Sequence, residues 1–192
     1  MRAFFLAFIL FSFISAPEIF PMGSAVEEGG AVFESVYISG NNRLFLRGTA
    51  TYRYLMVIKA YSGALYMKKE DDSEKILEEI PKRLVLEYFH NIKAEDFLKA
   101  TKEMIRKNFT DREFEELRDN LKILGKTYRD VNPGDRYSIT YFPDTGTELA
   151  LNGEVLNIFK GSIFAKAMFS IWLGKKPIDK SFRDKLLNSS VE

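Results

Sequence analysis

The segment Gly48–Met67, GTATYRYLMVIKAYSGALYM, constrains the fold more than any other, because it places an arginine inside an apolar, tyrosine-rich stretch of strand character. Arg53 is followed by Tyr54, Leu55, Met56, Val57 and Ile58, and no conventional turn residue intervenes before Ser62-Gly63. A guanidinium stays charged at ordinary pH and offers five donors in a planar fork. If the strand is buried, that fork requires an anion or several carbonyls in front of it. Two occupants fit: an internal carboxylate, with Glu87 and Glu34 as candidates, or a ligand.

The 192 residues suit one domain with an N-terminal appendage. With 17 Phe and 9 Tyr the core is rich in rings. The formal charge of +1 provides no global field for nucleic acid, and acids and bases alternate as on a solvated surface. Cysteine is absent, which excludes disulfides, thiolate metal sites and cysteine nucleophiles together. The single histidine, His90, rules out a multi-histidine metal centre and leaves little for Ser-His-Asp chemistry. No phosphate loop, dinucleotide fingerprint or carboxylate dyad is present, so no cofactor and no metal are expected.

Residues 1–25 have the order of a signal peptide: Arg2, the apolar run Ala3–Ile14, then small residues at Gly23, Ser24 and Ala25. A cut after Ala25 would release residues 26–192 as one domain, without a transmembrane segment, into the periplasm or an equivalent exported compartment.

Along that domain, Glu27–Gly30 reads as a flexible start and Ala31–Ser39 as a strand. The Tyr52–Met67 region reads as one long strand bent near Ser62-Gly63, and Ser73 with Ile76, Leu77 and Ile80 as a short capped helix. Arg83–Phe89 reads as a strand. Ala94–Asn108 carries Phe97, Leu98, Met104 and Ile105 at helical spacing. Thr110 and Glu113 open the next helix with a capping box, and Asn132–Asp135 closes the helical stretch. Tyr137–Phe142, Thr147–Leu151 and Val155–Phe159 are strands, the last two joined by the hairpin signal Asn152-Gly153. Ser162–Leu173 is a helix, followed by an amphipathic one holding Phe182, Leu186 and Leu187. Meandering strands and clustered helices give an α+β class with an antiparallel sheet.

The run Asn152–Asp179, with Arg53, Lys59 and Ala64-Leu65-Tyr66 before it, resembles the bacterial chalcone isomerase-like proteins. Ile92–Phe97, Asn108, Val131–Asp135 and the runs Phe164–Ala167 and Ile171–Gly174 fit the same pattern, so the resemblance spans roughly Val32 to Leu187. It implies an open-faced β-sandwich: a large antiparallel sheet with helices packed on one face and a cleft between. In the isomerases of the family that cleft closes a flavanone ring. In its fatty-acid-binding members it holds an acyl chain, with an arginine on the carboxylate.

The resemblance puts Arg53 on the family arginine. It puts Tyr61 where the enzymes have a strand threonine and Phe97 where they have a helix tyrosine. Met104 falls on an asparagine, and Ile171, beside Trp172, on a late threonine. The polar groups of the flavonoid reaction thus become aromatic or aliphatic. Three functions follow as expectations. The first is an exported, non-catalytic binding protein for a fatty acid or similar amphipathic carboxylate, with Arg53 as anchor, Tyr61 as hydrogen-bond partner, and Phe97, Met104, Ile171 and Trp172 along the slot. The second is an intramolecular lyase of the chalcone isomerase type. The third is a structural or partner-binding protein with a closed core, whose protein partner the sequence does not name.

Overall fold

The computed structural model describes residues 24–187. The expected signal peptide falls almost wholly on residues 1–23, outside the described residues. Its expected cut after Ala25 falls at the first residue of β1.

Among the described residues nine strands and five α-helices follow one another. Strands β1 (Ala25–Glu28) and β2 (Ala31–Glu34) form a separate hairpin. Strands β3 (Val36–Ser39), β4 (Asn42–Tyr54), β5 (Ile58–Met67), β6 (Lys82–Tyr88), β7 (Arg136–Phe142), β8 (Gly146–Leu151) and β9 (Glu154–Phe159) build a seven-stranded sheet. Its spatial order follows the chain order, and every pair is antiparallel. The helices are α1 (Ala94–Asn108), α2 (Asp111–Glu116), α3 (Arg118–Thr127), α4 (Ser162–Leu173) and α5 (Lys180–Leu186).

Both faces of the middle strands are covered, and alternation sorts their side chains. On β5, Leu65 and Met67 join the large core under the helices, while Ala64 and Tyr66 face a smaller cluster with Phe33 and Leu44 beneath the β1–β2 hairpin. On β6, Leu84, Leu86 and Tyr88 face the helices and Val85 the hairpin.

Helix α1 matches the bounds read from sequence. Glu95 and Asp96 sit in its first turn and Arg106 and Lys107 in its last, each sign complementing the helix dipole. Asp130 anchors its start, accepting from Ala94 N at 2.9 Å and pairing with Lys93. The Thr110–Glu113 capping box opens α2 as expected. Helix α4 is buried nearly all round, with nine of its residues inaccessible, as suits a helix lodged between the sheet and its neighbours. Helix α5 starts on an Asp179 cap to Phe182 N at 2.7 Å and packs across β4. Gly48 permits that approach, since a Cβ there would collide with the backbone oxygens of Lys185 and Leu186.

Four local expectations need correction. Glu27–Gly30 is not a loose start: Glu27 and Glu28 end β1, and Gly29 and Gly30 turn the hairpin at positive φ. The Ala31–Ser39 strand breaks at Ser35 into β2 and β3, which lie in different sheets. The Ser73–Ile80 helix is only a 3-10 turn, Ser73–Lys75, capped by Asp72. The Tyr52–Met67 strand is a hairpin. Leu55–Val57 reverses the chain between β4 and β5, and Val57 N donates to Tyr54 O at 3.2 Å. Leu55 and Met56 hold φ of 50° and 62°, the left-handed pair of a type I′ turn, in residues that rarely adopt it.

Candidate functional site

Alternate residues of the middle strands, Tyr61 on β5, Leu86 and Tyr88 on β6, and Tyr137 and Ile139 on β7, form the floor of a cavity between sheet and helices. Helix α1 supplies Phe97, Ala100, Thr101 and Met104, the i, i+3, i+4, i+7 face of a helix laid across the floor. Ile171 and Trp172 of α4 close one side and Tyr128, just past α3, another. The volume is about 240 Å³, and the walls are overwhelmingly apolar. Asp96 and Ala100 of α1 are exposed and Ile178 is half-buried, which places the mouth between α1 and the chain leading into α5. Asn108 holds that chain in place: its amide donates to Met104 O and Lys176 O, and its carbonyl accepts from Lys176 N.

Five of the six residues expected at a site, Tyr61, Phe97, Met104, Ile171 and Trp172, therefore surround one cavity. Arg53 does not. It follows Tyr52, whose ring packs on Tyr61 and Phe182 at the helix face, so strand alternation sends Arg53 to the other side. Its cross-strand partner Lys59 marks that side, with its ammonium on Gly29 O and 4.2 Å above the Phe89 ring. Arg53 is exposed, so no buried charge demands an anion there. Nor does Glu87 face it, because Glu87 pairs with Arg136 at 2.7 Å.

Four tyrosines meet at the cavity, and their hydroxyls are differently engaged. Tyr137 accepts from Arg129 N at 2.7 Å and donates to Arg129 O at 3.0 Å. Tyr128 bonds Thr101 at 2.9 Å. Tyr61 accepts the indole N–H of Trp172 at 3.1 Å, leaving its own proton uncommitted. Tyr88, buried among the rings of Tyr61, Phe97 and Tyr137, has no hydrogen-bond partner among the described residues. Burial pushes the Tyr61, Tyr88 and Tyr128 hydroxyls well above the usual tyrosine value, so all three stay neutral. Among the described residues no lysine, arginine or histidine lines the cavity, and Asp96 at the mouth is the only carboxylate that does. The site presents an apolar volume with two neutral hydroxyl donors.

Beside Tyr128 beyond α3, sequence reasoning missed two tyrosines of the cavity floor, Tyr88 and Tyr137. Both belong to strands read correctly, and the signal was their alternation with Leu86 and Ile139 on the face that also carries Tyr61.

The model of the chalcone isomerase-like family matches residues 25–188. The chain belongs to the chalcone isomerase-like family. Among solved structures, this family member is similar to a fatty-acid binding protein of Arabidopsis thaliana, with a TM-score of 0.65 at 14% identity, covering 86% of this chain and 96% of that one. That likeness extends to the fold: a curled antiparallel sheet with helices on one face. No curated protein matches in sequence. Among the described residues of this chalcone isomerase-like protein, no helix is long and apolar enough to cross a membrane.

Proposed function

We propose that the protein is a non-catalytic binding protein for a fatty acid or similar amphipathic molecule, whose apolar part occupies the cavity between the sheet and α1. The observation that carries this is the cavity itself, which is apolar, opens beside α1 and is lined by no cation among the described residues. The fold shared with a fatty-acid binding protein supports the same reading. An apolar protein cavity of about 150 Å³ accepts benzene. The volume here, about 240 Å³, accordingly admits a short chain or a substituted ring. It lies somewhat below the roughly 300 Å³ at which ligand pockets usually begin. A long acyl chain would leave part of itself at the mouth.

The polar end belongs at that mouth. An ionised carboxylate deep in the cavity would face hydroxyls but no countercharge, a costly arrangement. Arg53 has no part in this reading, because its side chain occupies the other face of the hairpin. A chalcone isomerase-type lyase would need a cation beside the reacting oxygen, and the tyrosines here are held away from neutral-pH titration.

Native mass spectrometry of gently purified protein, followed by titration with fatty acids of increasing length, tests the proposal. Saturable binding that Ala100→Trp abolishes and Arg53→Ala leaves unchanged is expected. Absence of saturable binding at any length would refute it. Export is part of the proposal, and N-terminal sequencing should find the mature chain starting near Val26. Met1 retained on a membrane-bound species would remove the export claim.

A further inference from the structure

We propose that the apex of the β4–β5 hairpin docks the protein on a lipid surface bearing anionic headgroups. The last β5–β6 pair is Tyr61 with Tyr88, and one further bond joins Phe89 N to Ala60 O. Residues beyond that point stand clear of β6, by roughly 10 Å at the usual rise of a strand. Five consecutive large apolar side chains, Tyr54 to Ile58, are exposed there, with Leu55 at 71%, Met56 at 86% and Val57 at 73%. Single exposed apolar residues are ordinary, whereas a contiguous projecting run marks a contact surface.

The backbone gives a second observation. Leu55 and Met56 occupy left-handed φ values that Asn-Gly would adopt with little strain. Two long apolar side chains are thus kept where the turn disfavours them, and strain of this kind gathers at functional positions.

Charge selects the occupant. No acid occurs in the chain between Gly48 and Lys69, and exposed Arg53 sits at the base of the apex opposite half-buried Lys59, with the carboxylate of Glu28 held further down β4 on Thr49 and Thr51. An apolar tip entering the boundary of headgroups and acyl chains, with cations left at headgroup level, is the arrangement of interfacial anchors. A second protein copy fits less well, because a five-residue apex falls far short of the roughly 20–30 residues a stable interface uses per side. The inference does not depend on what the cavity holds. It does place the docking element next to it, since the last residue paired with β6 before the projecting part is Tyr61, which lines the cavity.

The cysteine-free sequence makes the test direct. Met56→Cys carries an environment-sensitive fluorophore at the apex, and Asp144→Cys carries it in the β7–β8 turn at the opposite end of the sheet. Each full chain is mixed with phosphatidylcholine vesicles with or without phosphatidylglycerol. The apolar N-terminal run is common to both proteins, so the contrast between positions reports the apex. The label at 56 should shift to the blue with anionic vesicles and be quenched by a bilayer-embedded quencher, while the label at 144 stays in water. Adding Leu55→Asp should weaken the position-56 response by more than about tenfold, because it brings a carboxylate into hydrocarbon. No vesicle-dependent shift at 56, or equal shifts at both positions, would overturn the proposal. So would a shift that rises with protein concentration without vesicles, which would point to a second copy as occupant.

Discussion

Trp172 donates its indole N–H to the hydroxyl of Tyr61 at 3.1 Å, joining the buried helix α4 to strand β5 across 111 residues of chain. The bond aligns two cavity walls and fixes which way the Tyr61 oxygen faces. A neutral hydrogen bond of this kind contributes about 0.5–1.5 kcal/mol net. Trp172→Phe and Tyr61→Phe should each destabilise the protein, and a double-mutant cycle in urea should return a coupling of about 1 kcal/mol. Strict additivity of the two substitutions would show that the bond contributes nothing.

Two cavity tyrosines should respond unequally to loss of the hydroxyl. Tyr137→Phe strips the partner from both Arg129 N and Arg129 O and should cost about 1–3 kcal/mol. Tyr88→Phe removes a hydroxyl that bonds nothing among the described residues, and should cost the empty protein little. Thermal melts of the two variants side by side provide the check, and equal losses would contradict the assignment.

Stability should rise and then fall across the alkaline range. Lys82 is wholly buried on β6, its ammonium on Glu78 O and between the rings of Tyr141 and Phe169, and desolvation lowers its pKa to about 8. Between about pH 8 and 10.5 the unfolded chain holds a proton that the folded one has released, so stability increases with pH. Above about pH 10 the sign reverses. Unfolded tyrosines then ionise, while Tyr66, pushed up to about 12, and the higher-shifted Tyr61, Tyr88 and Tyr128 keep their protons. Lys82→Met should flatten the rising limb and add about 1–3 kcal/mol at neutral pH, because a buried ion gives way to an apolar chain. Urea midpoints from pH 7 to 11 for both proteins test this.

The β4–β5 turn should be improvable. Leu55→Asn with Met56→Gly supplies residues that accept positive φ, and should stabilise the fold by about 1–2 kcal/mol. The same pair of changes should reduce vesicle binding. A variant that loses stability would mean that the turn is not of the type described.

The parts of the fold that sequence revealed are those with strong local signals. Helix α1 has an apolar stripe with charge of the right sign at each end, and β8–β9 has Asn152-Gly153 between alternating runs. The missed turn at Leu55-Met56 lacks any turn residue, because the chain adopts left-handed angles there against local preference. The β1–β2 hairpin was hidden because Gly29-Gly30 suits a flexible start as well as a tight reversal. At the site, helical period put Phe97 and Met104 on the apolar face of α1, and only the family resemblance put them at the slot. The role expected of Arg53 failed on parity: with Tyr52 committed to the helix face, its neighbour had to face the other way. Tyr88 could be placed on a strand, but its free hydroxyl emerges only when every neighbouring donor and acceptor is accounted for.

The seat of α5 on β4 bears on the order in which the molecule assembles. Each strand of the large sheet pairs with the next one made, so hairpins can close early, at little loop-closure entropy. The first long strand nevertheless waits for α5, with Gly48 meeting Lys185 across most of the described residues. Synthesis from the N-terminal side therefore leaves the outer part of β4 bare until α5 has been made. Helix α5 then closes the fold.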